Sequence, residues 1–390
     1  MKRNYRIQEE VTMKRIIKIG MDVHTTNYTL CVFEPSFEHD GTVHYITQVK
    51  PEAKNIIDVI NNLKKKLKDD ELDIVCGYEA GCLGYSLYHQ LKDKGISCII
   101  LAPTTMKVEK GGKKLKNDYR DARQIAECLA YGGYSAVYVP TALDNSVKEF
   151  IRMRDDLKQN LKSIKQQIIA LLTRNGKQYD DGSYWTVRHT KWIGSIKFEE
   201  GILQETLSEY MIEYYHLIDR ISKLDERIEE ISGKEIYIEK VNRLKCFLGI
   251  KTHTALSLIV ETSDFKRFSK GNIYAAYLGL IPGDDSSGND DNKLGITKAG
   301  NRHLRRLLIE AAQCYTRGRI GHISIDLKQR QALCSSQVTA YANKANERLR
   351  RKYCKMIAKG KKYNVAKTAI ARELACFIWG MMTDHIELAH

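Results

Sequence analysis

Three strand-like segments precede the first helix of this chain, and that order restricts its fold more than any other feature. Ile16–Val23, Tyr28–Glu34 and Thr42–Val49 are rich in β-branched and aromatic residues and are separated by turn residues. The spacing of Ile56, Ile57, Ile60, Leu63 and Leu67 then predicts a helix over Ala53–Leu67. A fourth strand follows at Asp73–Glu79, a helix over residues 83–94 closed by Gly95, and a fifth strand over 97–102 stopped by Pro103. Asp118–Tyr131 reads as a helix ended by Gly132 and Gly133.

The order βββαβαβα is that of a ribonuclease-H-like (RuvC-like) fold, a mixed sheet flanked by helices. A doubly wound nucleotide fold would alternate strand and helix from the start. Residues 15–140 are therefore read as one domain, preceded by a polar extension over 1–14 that contains a second Met at position 13. Two heptad runs follow. Leu143, Val147, Phe150, Arg154, Leu157, Leu161, Ile164, Ile168 and Leu171 keep four-three spacing, and so do Leu203, Leu207, Tyr210, Tyr214, Leu217, Ile221, Leu224, Ile228 and Ile231. Such spacing indicates a long coiled-coil insertion over 141–240, its helices pairing within one chain or between two, or else two long helices of an ordinary bundle. Residues 241–390 are expected to be helical, so the fold class is α/β plus all-α.

Among 390 residues, 63 Lys and Arg face 48 Asp and Glu, giving a net charge of +15. So basic a chain calls for an acidic partner, nucleic acid first. Residues 341–372 hold eleven Lys or Arg and one acid, Glu347, so most of the excess lies there. The ten cysteines form no CxxC pair, which suggests buried free thiols in a reducing cytoplasm rather than a zinc site. No run approaches the ~18–20 apolar residues of a membrane span.

Four carboxylates of the first domain stand out. Asp22 stands near the end of the first strand and Glu79 ends the fourth, and in a mixed sheet these ends can lie side by side. Asp118 and Asp121 share one helical face. Converging carboxylates repel unless hard divalent cations join them, and Mg²⁺ is the usual occupant, two ions ~4 Å apart being suited to phosphodiester cleavage. Taken singly, Asp118 also suits a helix N-cap, Asp121 a first-turn acid and Glu79 a surface charge. The segment from Asp22 to Tyr28 also resembles the phosphate hairpin of actin-like ATPases and sugar kinases, with His24 where that hairpin carries Gly. The run Lys107, Lys110, Lys113, Lys114 and Lys116 before Asp118 fits a polynucleotide better than a mononucleotide.

In the last domain, residues 244–259 resemble a helix–hairpin–helix, with Lys251 in place of its second glycine. A polar loop containing Ser286-Ser287-Gly288 leads to Ile296-Thr-Lys-Ala-Gly-Asn-Arg. Arg302, Arg305 and Arg306 share a helical face after Gly300, the pattern of a phosphate clamp or of a surface charge stripe.

With Glu-Ala-Gly at Glu79, Lys-Asn-Asp-Tyr-Arg-Asp-Ala around Asp118 and Asp121, and the Ser-Gly segment, the chain resembles the DEDD transposases of the insertion-sequence-110 family from about residue 16 to 315. Asn117 stands where the family commonly has Thr, and the loop at Gly283-Asp284-Asp285 and Asn289-Asp290-Asp291 is more acidic than the family's usual one. The resemblance implies a recombinase with a composite active site. Asp22, Glu79, Asp118 and Asp121 would hold Mg²⁺, with Mn²⁺ as a substitute, and Ser287 (alternatively Ser286) would attack DNA to give a covalent phosphoserine. It further implies donor and target DNA, a guide (bridge) RNA, and a homodimer assembling to a tetramer on DNA. Lys113, Lys114, Lys116, Lys298, Arg302, Arg305, Arg306, Arg350 and Arg351 are the expected nucleic-acid contacts. A junction endonuclease that uses water in place of the serine is the alternative on the same scaffold.

Overall fold

The computed structural model describes residues 14–36, 38, 40–69, 71–81, 83–106, 117–284 and 293–386. The chain divides into two compact units, Met1–Val139 and Pro140–His390.

In the first unit, strands β1 (Ile16–Val23), β2 (Tyr28–Glu34), β3 (Thr42–Val49), β4 (Asp73–Glu79) and β5 (Ser97–Leu101) form one sheet in the order β3-β2-β1-β4-β5. β1 pairs antiparallel with β2 and β2 antiparallel with β3, while β4 lies parallel to β1 and β5 parallel to β4. This is the mixed sheet expected from three leading strands. Helices α1 (Ala53–Leu67), α2 (Ser86–Asp93) and α3 (Asp118–Tyr131) complete the unit. α2 starts three residues later than the sequence pattern suggests.

Alternation along the strands sorts the side chains into two layers. Ile17, Ile19, Met21, Cys76 and Tyr78 are buried with Ile56 and Leu63 of α1 and Leu87 and Leu91 of α2. On the opposite face Cys31 and Phe33 pack with Ala122 and Ala126 of α3, and Leu101 packs with Ile125, Cys128 and Leu129. The second face carries the carboxylates described below.

The second unit is helical: α4 (Ala142–Arg174), α5 (Val187–Ser195), α6 (Gly201–Ser232), α7 (Glu235–Lys245), α8 (Thr252–Thr262), α9 (Gly271–Tyr277), α10 (Arg302–Ala312), α11 (Ile325–Gln331), α12 (Ser336–Ala358) and α13 (Tyr363–Met382), with a short pair of strands, β6 (Pro282–Asp284) and β7 (Lys293–Ile296). The two heptad runs fall on α4 and α6 and pack on each other within the chain. Arg154 forms a two-bond pair with Asp225, and Lys165 lies 5.7 Å from the Tyr214 ring, so the helices run antiparallel. At the base of this hairpin Val147, Ile151, Ile228 and Ile231 join one apolar core with α7, α8, α10, α12 and α13. Farther along, Ile168, Leu171 and Leu172 pack with Leu207, Tyr214 and Ile193.

Between α7 and α8 the chain turns at Gly249, whose φ of +83° and whose approach to Ala311 O leave no room for a Cβ. Polar groups at this turn are engaged inside the protein. Leu248 N–H donates to Asn346, and Arg330 donates to the Lys245 and Ile250 carbonyls. Cys31, Cys76, Cys128 and Cys246 are buried free thiols, but Cys314 and Cys354 are exposed, because both fall on outward positions of their helical segments. Among the described residues no helix is long and apolar enough to cross a membrane.

Candidate metal centre

The parity of β1 puts Gly20 and Asp22 on the face opposite Ile19 and Met21, toward α3. Glu79 pairs with Leu101, which packs on α3, so Glu79 belongs to the same face. The parallel register sets Met21 against Tyr78, which leaves Asp22 and Glu79 one residue farther on, at adjoining strand ends. Glu79 is exposed there.

Helix α3 brings the other two acids. Its N-cap is Asn117, whose side-chain oxygen accepts the Tyr119 N–H at 3.0 Å. The capping role open to Asp118 from sequence is thus taken by its neighbour, and Asp118 and Asp121 occupy the first turn, where the helix dipole favours anions. The helix can reach the sheet because β1 and β4 carry glycine beneath it. A Cβ on Gly20 would lie 2.2 Å from Ala122 O and 2.3 Å from Ala126 N; one on Gly77 would meet the Leu129 methyls at 2.7–2.8 Å.

The result is a group of three ligand atoms, one each from Asp22, His24 and Asp118, all within 4.8 Å of one another. His24 Nε2 lies 3.2 Å from Asp22 Oδ2. Burial raises the Asp22 carboxyl above the usual carboxylate range; His24 draws it down, while Asp118 and Asp121 push it further up. An arrangement of acids that resist joint ionisation, with oxygen donors converging, fits a divalent cation. His24, which the sequence marked only as a departure from a phosphate hairpin, is a member of this group. Its signal in the sequence is its position two residues after Asp22, where the strand ends and His24 N–H closes a turn onto Asn27 O.

Comparison with known proteins decides the family. Residues 241–323 match the model described as "Transposase IS116/IS110/IS902 family", and residues 19–175 match a DEDD-type IS110 transposase model. The chain is 31% identical to "Putative transposase y4qE" of Sinorhizobium fredii, over 94% of this chain and 88% of the relative. The chain belongs to the IS110 family of transposases. It is also 31% identical to "Transposase for insertion sequence element IS1533" of Leptospira borgpetersenii, over 90% of this chain and 99% of that one. The Thermus thermophilus RuvC structure aligns with 31% of this chain and 99% of its own at 12% identity, with a TM-score of 0.23. This transposase is therefore an enzyme that cuts and rejoins DNA.

The remaining expected contacts of the transposase are dispersed. Lys298, at a φ of +56°, and Arg302 are exposed on either side of the Gly300 turn. Arg305 donates to the Leu278 and Ala299 carbonyls, and Arg306 to Asp155 at 2.5 Å and to Glu310. Asp155 also pairs with Arg154 and lies 2.9 Å from His253 Nε2, so Arg306 is part of an internal network joining α4, α8 and α10. Arg350 is buried and donates to the Arg319 and His322 carbonyls; Arg351 is exposed and pairs with Glu347 one turn away. Lys113, Lys114, Lys116, Ser286 and Ser287 lie outside the described residues.

Proposed function

We propose that this transposase is a ribonuclease-H-like recombinase that moves DNA strands through divalent cations held by Asp22, Glu79, Asp118 and Asp121, with Ser287 as nucleophile. The convergence of Asp22 and Asp118 at the N-terminus of α3 carries the metal part of this reading. Mg²⁺ suits the carboxylates, and Mn²⁺, which tolerates imidazole as well, is the expected substitute. When bound, such ions supply Lewis-acid stabilisation of charge on the phosphoryl and leaving oxygens.

The chain's own residues do the rest. The serine hydroxyl is a weak nucleophile at neutral pH and needs its proton removed. Its Oγ forms a bond to phosphorus as the bond to one strand oxygen breaks, and the proton ends on the departing hydroxyl. The phosphoserine conserves the phosphodiester, so attack by a new strand hydroxyl restores DNA and frees the serine without ATP. We further infer a homodimer assembling to a tetramer through the α4–α6 hairpin, a guide RNA partner and action in the cytoplasm. The supports are family membership and the basic charge.

The test is to incubate protein, Mg²⁺ and cognate DNA, then denature. A covalent protein–DNA adduct that persists in Ser286→Ala and vanishes in Ser287→Ala supports the reading. Cleaved ends with no adduct, unaffected by either substitution, would show that water is the nucleophile.

A further inference from the structure

Outside the candidate metal centre, the fold of the second unit brings two cysteines together. Cys246 follows the last residue of α7 and is fully buried, while Cys334 stands in the short connection between α11 and α12, at the edge of the same apolar core. Gln331 holds the two backbones in place. Its side chain donates to the Cys246 carbonyl at 3.1 Å, and its own carbonyl accepts the Cys334 N–H at 3.0 Å. Asn346 donates to the same Cys246 carbonyl. The two thiols are thereby in hydrogen-bonding contact with each other.

The pair is asymmetric. Cys334 lines an open cavity of about 340 Å³ together with Asn242, Arg243, Ser335 and Asp384. Cys246 lies behind that wall, its Sγ 3.5 Å from the Asn242 carbonyl oxygen. The Arg243 guanidinium is fixed in the wall by donating to the Met381 carbonyl and to Asp384. The hydrogen bond from Cys246 and the Arg243 cation hold the Cys334 thiol below the usual thiol range, against burial and the charge of Glu239. Cys246 is driven upward by its bond to Cys334 and by burial. Proximity alone does not produce this division. Cys76 and Cys98 are paired in register on β4 and β5, yet burial raises both, Cys98 to about 12.

An accessible thiol of lowered pKa with a second thiol beside it is the arrangement that peroxides oxidise reversibly. We propose that Cys334 and Cys246 form a peroxide-reactive dithiol that closes to an intrachain disulfide. The Cys334 sulfur attacks one peroxide oxygen, the O–O bond breaks, and the thiol proton leaves with the departing hydroxide as water. The Cys246 sulfur then attacks the sulfur of the resulting sulfenic acid. The S–O bond breaks, and the released hydroxyl takes the Cys246 proton as a second water. The two thiols lose two electrons in all and hydrogen peroxide is reduced to two waters; a thiol reductant reverses the change. The bridge ties the end of α7 to the α11–α12 connection, closing the chain around α8, α9, β6, β7, α10 and α11.

The experiment treats the reduced full chain with a few equivalents of hydrogen peroxide at neutral pH, blocks the remaining thiols with N-ethylmaleimide in denaturant and maps the unreduced peptides by mass spectrometry. The expected product is a linked peptide pair joining Cys246 to Cys334, absent before treatment and removed by dithiothreitol. In Cys246→Ser, dimedone should label Cys334 in place of the bridge; the wild-type map decides the matter whether or not that variant folds. Arg243→Gln should slow bridge formation about threefold, because a tenfold loss of thiolate is partly offset by higher intrinsic nucleophilicity. Three results would each overturn the proposal: Cys334 left as a free thiol, Cys334 carried to the sulfinic acid with Cys246 intact, or bridges confined to the exposed Cys314 and Cys354 of separate chains.

Discussion

Replacing Gly20 with Ala tests how the acids of the candidate metal centre are brought together. The added Cβ would stand 2.2 Å from Ala122 O, and ordinary contact begins at 3.4 Å, so strand and helix must separate by about 1.2 Å. Every nearby clashing atom, Ala122 O and Ala126 N and Cα, is backbone, so no side-chain rotation relieves it. Overpacking of this kind costs about 1–3 kcal/mol, which is a fall of several degrees in Tm and leaves the unit folded. Asp118 and Asp121 ride on α3 while Asp22 stays with the sheet, so the displacement falls directly on the ligand geometry. Small hard cations demand near-ideal geometry, and a misplacement of about 1 Å costs on the order of 10²-fold in rate. Cleavage of cognate DNA by Gly20→Ala should therefore fall about 10²-fold, well beyond its loss of stability. Gly194→Ala is the control, because a methyl there meets nothing within 4 Å. Full cleavage by a Gly20→Ala protein with a lowered Tm would refute the view that this close approach sets the carboxylates. An unchanged Tm would refute the close approach itself.

Two further outcomes follow from the geometry. For Asp155, burial by itself would raise the carboxyl, but His253, Arg154 and Arg306 outweigh it and hold the group well below the usual carboxylate range. A depressed carboxyl contributes stability that is complete above its unfolded value, about pH 4, and is lost as pH falls through the folded one. Asp155→Asn should cost about 3–5 kcal/mol at neutral pH by leaving buried guanidinium groups underpaired, and should remove that acid-sensitive part of the unfolding curve; denaturant titrations at pH 7 and pH 3 measure both. Asn117→Ala removes the cap of α3 and should cost about 1 kcal/mol by thermal melting. Because that cap sets the first turn, cleavage should drop while the affinity for DNA holds.

The sheet was largely legible because its signals are local. β1, β2, β3 and β4 are apolar, β-branched runs cut by turn residues, and their limits coincide with those read from the sequence. Asp22 and Glu79 could be placed at neighbouring strand ends once the strand order was known. What the sequence concealed depends on contacts between distant residues. Gly20 meets α3 about a hundred positions later, and nothing in its own neighbourhood announces that. Arg306 has the spacing of a phosphate clamp, yet its partner Asp155 lies 151 residues earlier on α4. Arg350 similarly turns inward to carbonyls of the loop that precedes α11. Heptad spacing gave the seam faces of α4 and α6 but is the same for a helix that pairs with its own chain or with another. Asn117 and Asp118 are both good capping residues, and backbone conformation alone selects the former.

Asp22 and Asp118, brought together at the N-terminus of α3, are proposed to hold a divalent cation. Mn²⁺ titration of the DNA-free protein, followed by electron paramagnetic resonance of the unbound ion, measures that directly. The wild-type chain should bind saturably, and Asp22→Asn and Asp118→Asn should lose that binding while remaining folded. Equal Mn²⁺ binding by all three proteins would contradict it.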